Sequence, residues 1–164
     1  RHRKGAGVTV TGDSVRIVKL IGAPVDRVYQ AFVDPDELVR WMHPDPFRGV
    51  SATNDPRVGG RGELSHRDVD GEDVVGGFIW EYLEVEQNRK LVMDWQFGPE
   101  WDPDQTHSRM TIELLETEEG STEVTLFHER LGEAPPGGHM GVNTGWTQAL
   151  ESLERHFENE GEER

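Results

Sequence analysis

A single amphipathic helix near the C-terminus follows a long run of predicted strands, and this imbalance constrains the fold more than any other feature of the sequence. Between residues 146 and 157 the apolar residues recur at helical spacing and form one stripe: Trp146, Ala149, Leu150, Leu153 and Phe157. One such helix cannot cover a flat sheet of about six strands, so the sheet must curl around it. The sequence therefore predicts an α+β fold in which a curved antiparallel sheet of about six to seven strands grips a long C-terminal helix.

The strands are predicted from alternation of apolar and polar residues between residues 47 and 128. Apolar side chains take alternate positions in three stretches: Leu91 to Phe97, Met110 to Leu114, and Val124 to Leu126. This alternation is typical of an antiparallel sheet with one buried face. In residues 74–85 both the odd and the even positions are apolar, so the sequence does not show which side chains point inward. A bulge is expected in this stretch.

One strand and two short helices are predicted ahead of this run. β-Branched residues favour a strand over residues 15–21. Pro24 suits a first helical position, and the apolar spacing that follows it predicts a helix up to Phe32. Asp34 can cap a second helix that Pro35 opens and that carries Leu38, Trp41 and Met42 on its apolar face.

Length and composition set the domain organisation. A chain of 164 residues fits one domain, placed at residues 15–158. Residues 1–14 are interpreted as an N-terminal extension or a tag remnant, and residues 159–164 as an acidic tail. The chain has no cysteine, which excludes disulfides and thiol chemistry and fits a cytoplasmic location.

The charge restricts the partners. A net charge of −15 argues against nucleic acid and anionic membranes, both of which attract basic proteins. No apolar run reaches the ~18 residues of a membrane helix. The seven histidines show no clustered ligand spacing, so neither a metal nor another cofactor is expected. The chain is expected to be a monomer or a weak homodimer.

Short motifs in a fixed order point to a known family. They are residues 23–32 (APVDRVYQAF), 34–38 (DPDEL), 55–60 (DPRVGG), 89–92 (RKLV) and 145–146 (GW). Together they resemble the START/Bet v1-like (SRPBCC) helix-grip superfamily, and within it the group named after the C-terminal domain of the activator of Hsp90 ATPase. The resemblance covers residues 15–158 and implies a fold with a ligand cavity. The superfamily includes lipid carriers, antibiotic binders, polyketide aromatase/cyclases and resistance proteins.

The candidate ligand-binding residues combine large side chains on the expected inner face with a few polar or small ones. They are Trp41, His66, Phe78, Tyr82, Met93, Trp95, Met110, His128, Gly141, Trp146 and Leu150. The aromatic ones can serve as plain core or as walls for a planar ligand, and Tyr82 can add a hydroxyl. His66 and His128 share parity with inward residues, and each can orient a ligand, move a proton, or be satisfied by neighbours. No catalytic motif is present, so no catalytic residue is assigned.

Glycines at the start of the last helix suggest a way into the cavity. Gly138, Gly141 and Gly145 fall on one helical face. They either let the helix pack closely on the sheet or let this end move and admit a ligand. The gate interpretation requires fast hydrogen exchange over residues 137–145.

Three functions remain open from the sequence. The first is a binding protein that carries or sequesters an apolar, ring-containing small molecule. The second is an enzyme of the polyketide cyclase/aromatase type, in which the same cavity positions a reactive chain. The third is a protein-interaction domain, similar to a co-chaperone, which requires an exposed apolar patch.

Overall fold

The computed structural model describes residues 7–11, 13–43, 48–67, 74–98, 102, 107–132 and 138–162. The strands within them are β1 (Gly7–Thr11), β2 (Ser14–Ile21), β3 (Arg48–Asn54), β4 (Arg61–Arg67), β5 (Val74–Glu86), β6 (Lys90–Phe97), β7 (Ser108–Glu116) and β8 (Thr122–Glu129). The helices are α1 (Val25–Val33), α2 (Pro35–Trp41) and α3 (Gly138–Glu162). The predicted α+β helix-grip class is confirmed.

All described strands belong to one antiparallel sheet with the order β1-β2-β8-β7-β6-β5-β4-β3. β2 lies next to one edge of the sheet and β3 forms the opposite edge. The chain must therefore cross the sheet between β2 and β3. The helices α1 and α2 make this crossing, and α2 packs on β3. The long helix α3 packs against β2 and α2. This closes one side of the core with three helices.

The sheet is wider than predicted, because residues assigned to an N-terminal extension form its edge strand. β1 pairs with β2 through the register Gly7 with Val18 to Thr11 with Ser14. The sequence carried a signal for this hairpin. Gly12-Asp13 separates residues 8–11 (VTVT) from residues 15–21 (VRIVKLI), both rich in β-branched residues, and a two-residue Gly-Asp connection between such runs is a common hairpin turn.

The structure shows which side chains of β5 face the core, a point that the sequence left open. Phe78, Trp80 and Tyr82 point inward and are buried. A break in register between Tyr82 and Glu84 confirms the expected bulge in this strand. In the pairing with β6, Trp80 lies opposite Trp95 and Tyr82 lies opposite Met93. The inner face at the middle of the sheet is therefore rich in aromatic rings.

The helix α2 begins at Pro35 as predicted, whereas α1 begins at Val25, one residue after the predicted Pro24, which is the N-cap. The side chain of Asp34 accepts a hydrogen bond from the backbone N–H of Asp36 at 2.9 Å, which caps α2 as predicted. The apolar face of α1 includes Val28, Tyr29 and Phe32, and all three are buried. This face closes the core beside α3.

The last helix extends past the predicted domain boundary at residue 158. It runs to Glu162, and Glu160 forms an ion pair with Arg27 of α1 at 2.6 Å. Arg27 also binds both carboxylate oxygens of the buried Glu37 on α2, and His156 of α3 contacts the same carboxylate at 2.9 Å. The end of α3, which includes part of the segment interpreted as an acidic tail, is therefore held against both short helices.

Candidate functional site

A small cavity lies in the core between the inner face of the sheet and α3. Its volume is about 10 Å³, which is room for about one water molecule. The described side chains that line it are all apolar or aromatic: Phe32, Met42, Trp80, Tyr82, Leu91, Met93, Trp95, Met110, Ile112 and Trp146. The three central strands β5, β6 and β7 supply most of them, and Trp146 contributes from α3.

The predicted ligand-binding residues fall into two groups. Those that line the cavity are Tyr82, Met93, Trp95, Met110 and Trp146. The others, which lie outside the lining, are Trp41, His66, Phe78, His128, Gly141 and Leu150. Trp41 is fully buried and donates its indole N–H to the backbone oxygen of Ala31 at 2.9 Å, so it anchors α2 to α1.

The sequence interpretation did not select several lining residues. Phe32, Met42 and Ile112 were predicted to lie on apolar faces, and Leu91 to point inward. Trp80 lies in residues 74–85, where the inward side chains could not be assigned. Their apolar character was visible, but their position at the cavity depends on how α1, α2 and the sheet meet. No single-residue pattern carries that information.

The cavity walls are a contiguous group of aromatic rings. Trp80 and Trp95 stack with centroids 5.0 Å apart and planes 10° from parallel. Trp146 meets Trp95 edge to face at 5.5 Å and stacks on Phe78 at 5.6 Å. Ring pairs at these separations stabilise one another beyond their burial alone. These rings therefore form a continuous packed aromatic wall beside the cavity.

His128 sits behind this wall in a chain of hydrogen bonds. Trp146 donates its indole N–H to Nδ1 of His128 at 3.1 Å. On the other side, Nε2 of His128 lies 2.7 Å from the hydroxyl of Ser108, which also lies 3.0 Å from the backbone oxygen of Trp95. Because an indole N–H can only donate, Nδ1 must accept, and the proton of the neutral ring must sit on Nε2.

This arrangement satisfies the polar side-chain atoms of Trp146, His128 and Ser108, and it holds His128 neutral. Nε2–H donates to Ser108, and the Ser108 hydroxyl donates to the carbonyl of Trp95. Burial lowers the pKa of His128 to about 3. Of the three roles open to His128, the geometry favours a histidine satisfied by its neighbours. Ser108 was not singled out in the sequence, although a serine at an inward position of an apolar strand was a usable signal.

A second hydrogen-bond group fixes two other lining residues. Asn54, at the end of β3, accepts from the indole N–H of Trp80 and from the hydroxyl of Tyr82, both at 2.9 Å. Its amide donates to the backbone oxygen of Val33 at 2.9 Å and so ties the sheet to α1. Burial raises the pKa of Tyr82 to about 12, so this hydroxyl stays protonated. No role was assigned to Asn54 from the sequence.

Gly62 on β4 makes room for this group. A Cβ at Gly62 would overlap the indole of Trp80 and the side-chain oxygen of Asn54. Glycine is therefore required here by close approach of the Trp80 ring, not by its backbone angles.

His66 lies at the other end of the aromatic wall. It is buried, and its ring contacts Phe78 edge to face at 5.3 Å. Burial, with a smaller effect from nearby His43, lowers the pKa of His66 to about 4. Both inward histidines are thus neutral near pH 7.

Neither a metal-binding cluster nor a membrane-spanning helix occurs among the described residues. Those residues contain no cluster of three or more His, Cys, Asp or Glu side chains placed to hold a metal ion. They also contain no helix with the length and apolar character needed to cross a membrane.

Comparisons with solved structures agree with this fold. Protein CV1439 from Chromobacterium violaceum is 25% identical with a TM-score of 0.74, and the match covers 88% of this chain and 96% of that one. An Hsp90 activator from Plasmodium falciparum is 25% identical with a TM-score of 0.59, covering 77% and 79%. DynU16, from the dynemicin biosynthetic locus, is 22% identical with a TM-score of 0.67, covering 90% and 48%; that likeness shows the fold alone.

The search of curated proteins gives no match. A family match, in contrast, spans most of the chain. Residues 22–158 match the family described as activator of Hsp90 ATPase homolog 1-like protein, and they include both short helices, the central strands and nearly all of α3. The chain therefore belongs to the activator of Hsp90 ATPase homolog 1-like family, within the helix-grip fold that its sequence motifs resemble.

Proposed function

We propose that the chain binds an apolar, ring-containing small molecule between the central strands and α3, and carries or sequesters it in the cytoplasm. The observation that carries this proposal is the lining of the cavity. Half of its ten side chains are aromatic, and the rest are Met, Leu or Ile. Such walls favour planar apolar ligands, since rings stack on rings and no buried charge needs to be compensated.

Binding requires the cavity to open. Ligand pockets usually measure roughly 300 Å³ or more, whereas this cavity holds about 10 Å³. Three of the lining residues are Met42, Met93 and Met110, and methionine adapts easily because it has several rotatable bonds. A ligand would stabilise an open conformation of low population, and its apparent affinity would be reduced by that low population.

The polar groups near the cavity favour binding over acid–base catalysis. An efficient proton-transfer group has a pKa near the working pH. The pKa values of His66 and His128 are lowered to about 4 and about 3, and that of Tyr82 is raised to about 12. These groups would exchange protons poorly at pH 7. A polyketide cyclase would then rely on positioning alone.

The first prediction is that a neutral fluorescent probe, N-phenyl-1-naphthylamine, binds inside the core. Excitation of the tryptophans should transfer energy to the bound probe, because Trp80, Trp95 and Trp146 line the cavity. An unlabelled apolar ring compound should reverse the transfer. Absence of transfer up to the solubility limit of the probe would contradict the binding proposal and favour a protein-interaction domain.

Two substitutions on β7 locate the bound probe. Met110→Phe adds a ring to the lining and should weaken probe binding at least several-fold, because it fills space that the ligand must occupy. Leu115→Phe is the matched control, since Leu115 is 65% exposed on the same strand. Equal weakening in both variants, or in neither, would place the probe outside the core. Melting curves check that both variants fold.

The second prediction concerns the start of α3 as the entry route. Residues 138–145 should exchange amide hydrogens faster than residues 146–157, because glycine costs up to ~1 kcal/mol per helical position relative to alanine. Exchange should slow when the naphthylamine probe is bound. Gly141→Ala should slow probe association, whereas Gly22→Ala, whose added Cβ would meet no atom within 4 Å, should not. Uniformly slow exchange in the free protein would leave close packing as the role of these glycines.

A further inference from the structure

Among the described residues that line the cavity, one buried hydrogen-bond donor has no acceptor. Four lining residues carry a polar group: Trp80, Tyr82, Trp95 and Trp146. The groups of Trp80 and Tyr82 bond to Asn54, and that of Trp146 bonds to His128, as described above. The indole Nε1 of Trp95 is buried and has no hydrogen-bond partner in the described part of the chain.

Such a group calls for an explanation, because the great majority of buried polar atoms in proteins are hydrogen-bonded. Trp95 is only 1% exposed, so bulk water does not solvate its N–H. An unsatisfied buried donor is costly, so an acceptor supplied by a bound molecule would recover that cost.

The packing around Trp95 prevents its ring from turning toward an acceptor within the protein. Its indole stacks on Trp80 at 5.0 Å and lies 5.2 Å from the ring of Phe78. Trp146 covers it edge to face at 5.5 Å. Its backbone oxygen is held by Ser108 at 3.0 Å, in the middle of the central strand β6. The Trp95 ring is therefore held by other rings on several sides, and the residue is itself part of the cavity lining.

We propose that Trp95 selects the ligand by donating a hydrogen bond from Nε1 to an acceptor oxygen. This inference rests on the proposed binding function and specifies the ligand class: a neutral ring compound with a carbonyl, quinone or ether oxygen. An indole N–H donates only, so a group that offers no acceptor gains nothing from it. A carboxylate is disfavoured, because every described lining side chain is uncharged and a buried charge needs a partner.

The matched probes are 9-fluorenone and fluorene, which share a tricyclic skeleton. Fluorenone carries a carbonyl group where fluorene carries a methylene group. Each competes against N-phenyl-1-naphthylamine, and its dissociation constant is taken from the loss of energy transfer. Fluorenone should bind roughly 10- to 100-fold more tightly than fluorene, as expected for pairing a buried donor. The hydrophobic effect alone would favour fluorene, the more apolar of the two.

The substitution Trp95→Phe removes the donor and keeps an aromatic ring. It should abolish the preference for fluorenone, so that the two compounds bind about equally or fluorene binds more tightly. Trp80→Phe is the control, since Trp80 stacks on Trp95 in the same wall but its N–H is bonded to Asn54. This variant should keep the preference for fluorenone even if both affinities fall.

A spectroscopic readout in the wild-type chain keeps the test valid if a variant does not fold. The indole ¹⁵N–¹H resonance of Trp95 should move downfield with fluorenone and much less with fluorene. Equal affinity for the two probes, with equal shifts, would overturn the role of Trp95 and leave the binding function standing. Displacement of the bound naphthylamine by neither compound would likewise overturn the role of Trp95, whereas failure of the naphthylamine itself to bind would overturn the binding function and the role of Trp95 together.

Discussion

Trp146→Ala should lower the free energy of unfolding by about 3–5 kcal/mol, as expected for truncation of a large buried aromatic residue. Trp146 is 5% exposed and is the residue through which α3 meets the aromatic wall. Its loss removes contacts with Phe78 and Trp95 and enlarges the cavity. An unfolding midpoint in urea close to that of the wild type would contradict the assigned position of this side chain.

The hydrogen bond to His128 adds to this loss. Without the indole N–H, Nδ1 of His128 is a buried acceptor with no donor, which costs about 1–3 kcal/mol. Trp146→Phe separates the two effects, because it keeps a ring against Phe78 and Trp95 but removes the donor. It should destabilise less than Trp146→Ala. Equal losses in the two variants would mean that ring packing contributes little at this position.

The overall architecture was accessible from the sequence because it depends on periodicity. The apolar residues from Trp146 to Phe157 fall on one face only if the segment is helical. These residues are buried in α3 as predicted. Alternation in β6, β7 and β8 likewise fixed which side chains point inward. Asp34 and Pro35 marked the start of α2 through local chemistry that needs no tertiary information.

The edges of the fold were less accessible. β1 was missed because a short strand near a chain end, with few large apolar residues, has a weak pattern, although the Gly12-Asp13 signal was present. The end of α3 was interpreted only as an acidic tail. In the structure, the pairing of Glu160 with Arg27 holds it. That contact joins residues 133 positions apart, which no local pattern reveals.

The candidate site lies furthest from what a sequence can predict. A cavity volume is the small difference between the volume enclosed by the backbone and the volume of the side chains that fill it. The sequence indicated aromatic residues on the inner face, but the 10 Å³ that remain depend on how Trp80, Trp95 and Trp146 pack. Hydrogen-bond partners such as Asn54 with Trp80, or His128 with Trp146, also arise only when distant elements meet.

The last prediction is that acid destabilises the protein well above the pH at which its buried histidines protonate in the folded state. An unfolded histidine has a pKa of about 6.5. The folded pKa of His128 is lowered to about 3 by burial, and protonation would also set Nδ1–H against the indole N–H of Trp146. Between these two values the unfolded chain takes up a proton that the folded chain does not.

The sign follows from this difference in proton uptake. Stability falls as the pH drops below about 6.5, by about 1.4 kcal/mol per pH unit for His128, until the pH approaches the folded pKa. His66 adds a similar slope over a shorter range, because its folded pKa is about 4. From pH 7 to pH 4 the loss from His128 alone is on the order of 3 kcal/mol. That is a large share of the 5–15 kcal/mol typical of a whole domain.

His128→Gln isolates this effect from the titration of the carboxylates. Glutamine can still accept from Trp146 and donate to Ser108, but it does not titrate. The variant should lose some stability at pH 7 and then fall less steeply than the wild type, so that the two urea-denaturation free energies converge or cross between pH 6 and pH 4. His66→Gln should show the same behaviour with a smaller total change. Parallel pH profiles for wild type and His128→Gln would show that His128 is already protonated in the folded protein, or exposed in it, and would contradict the buried hydrogen-bond chain.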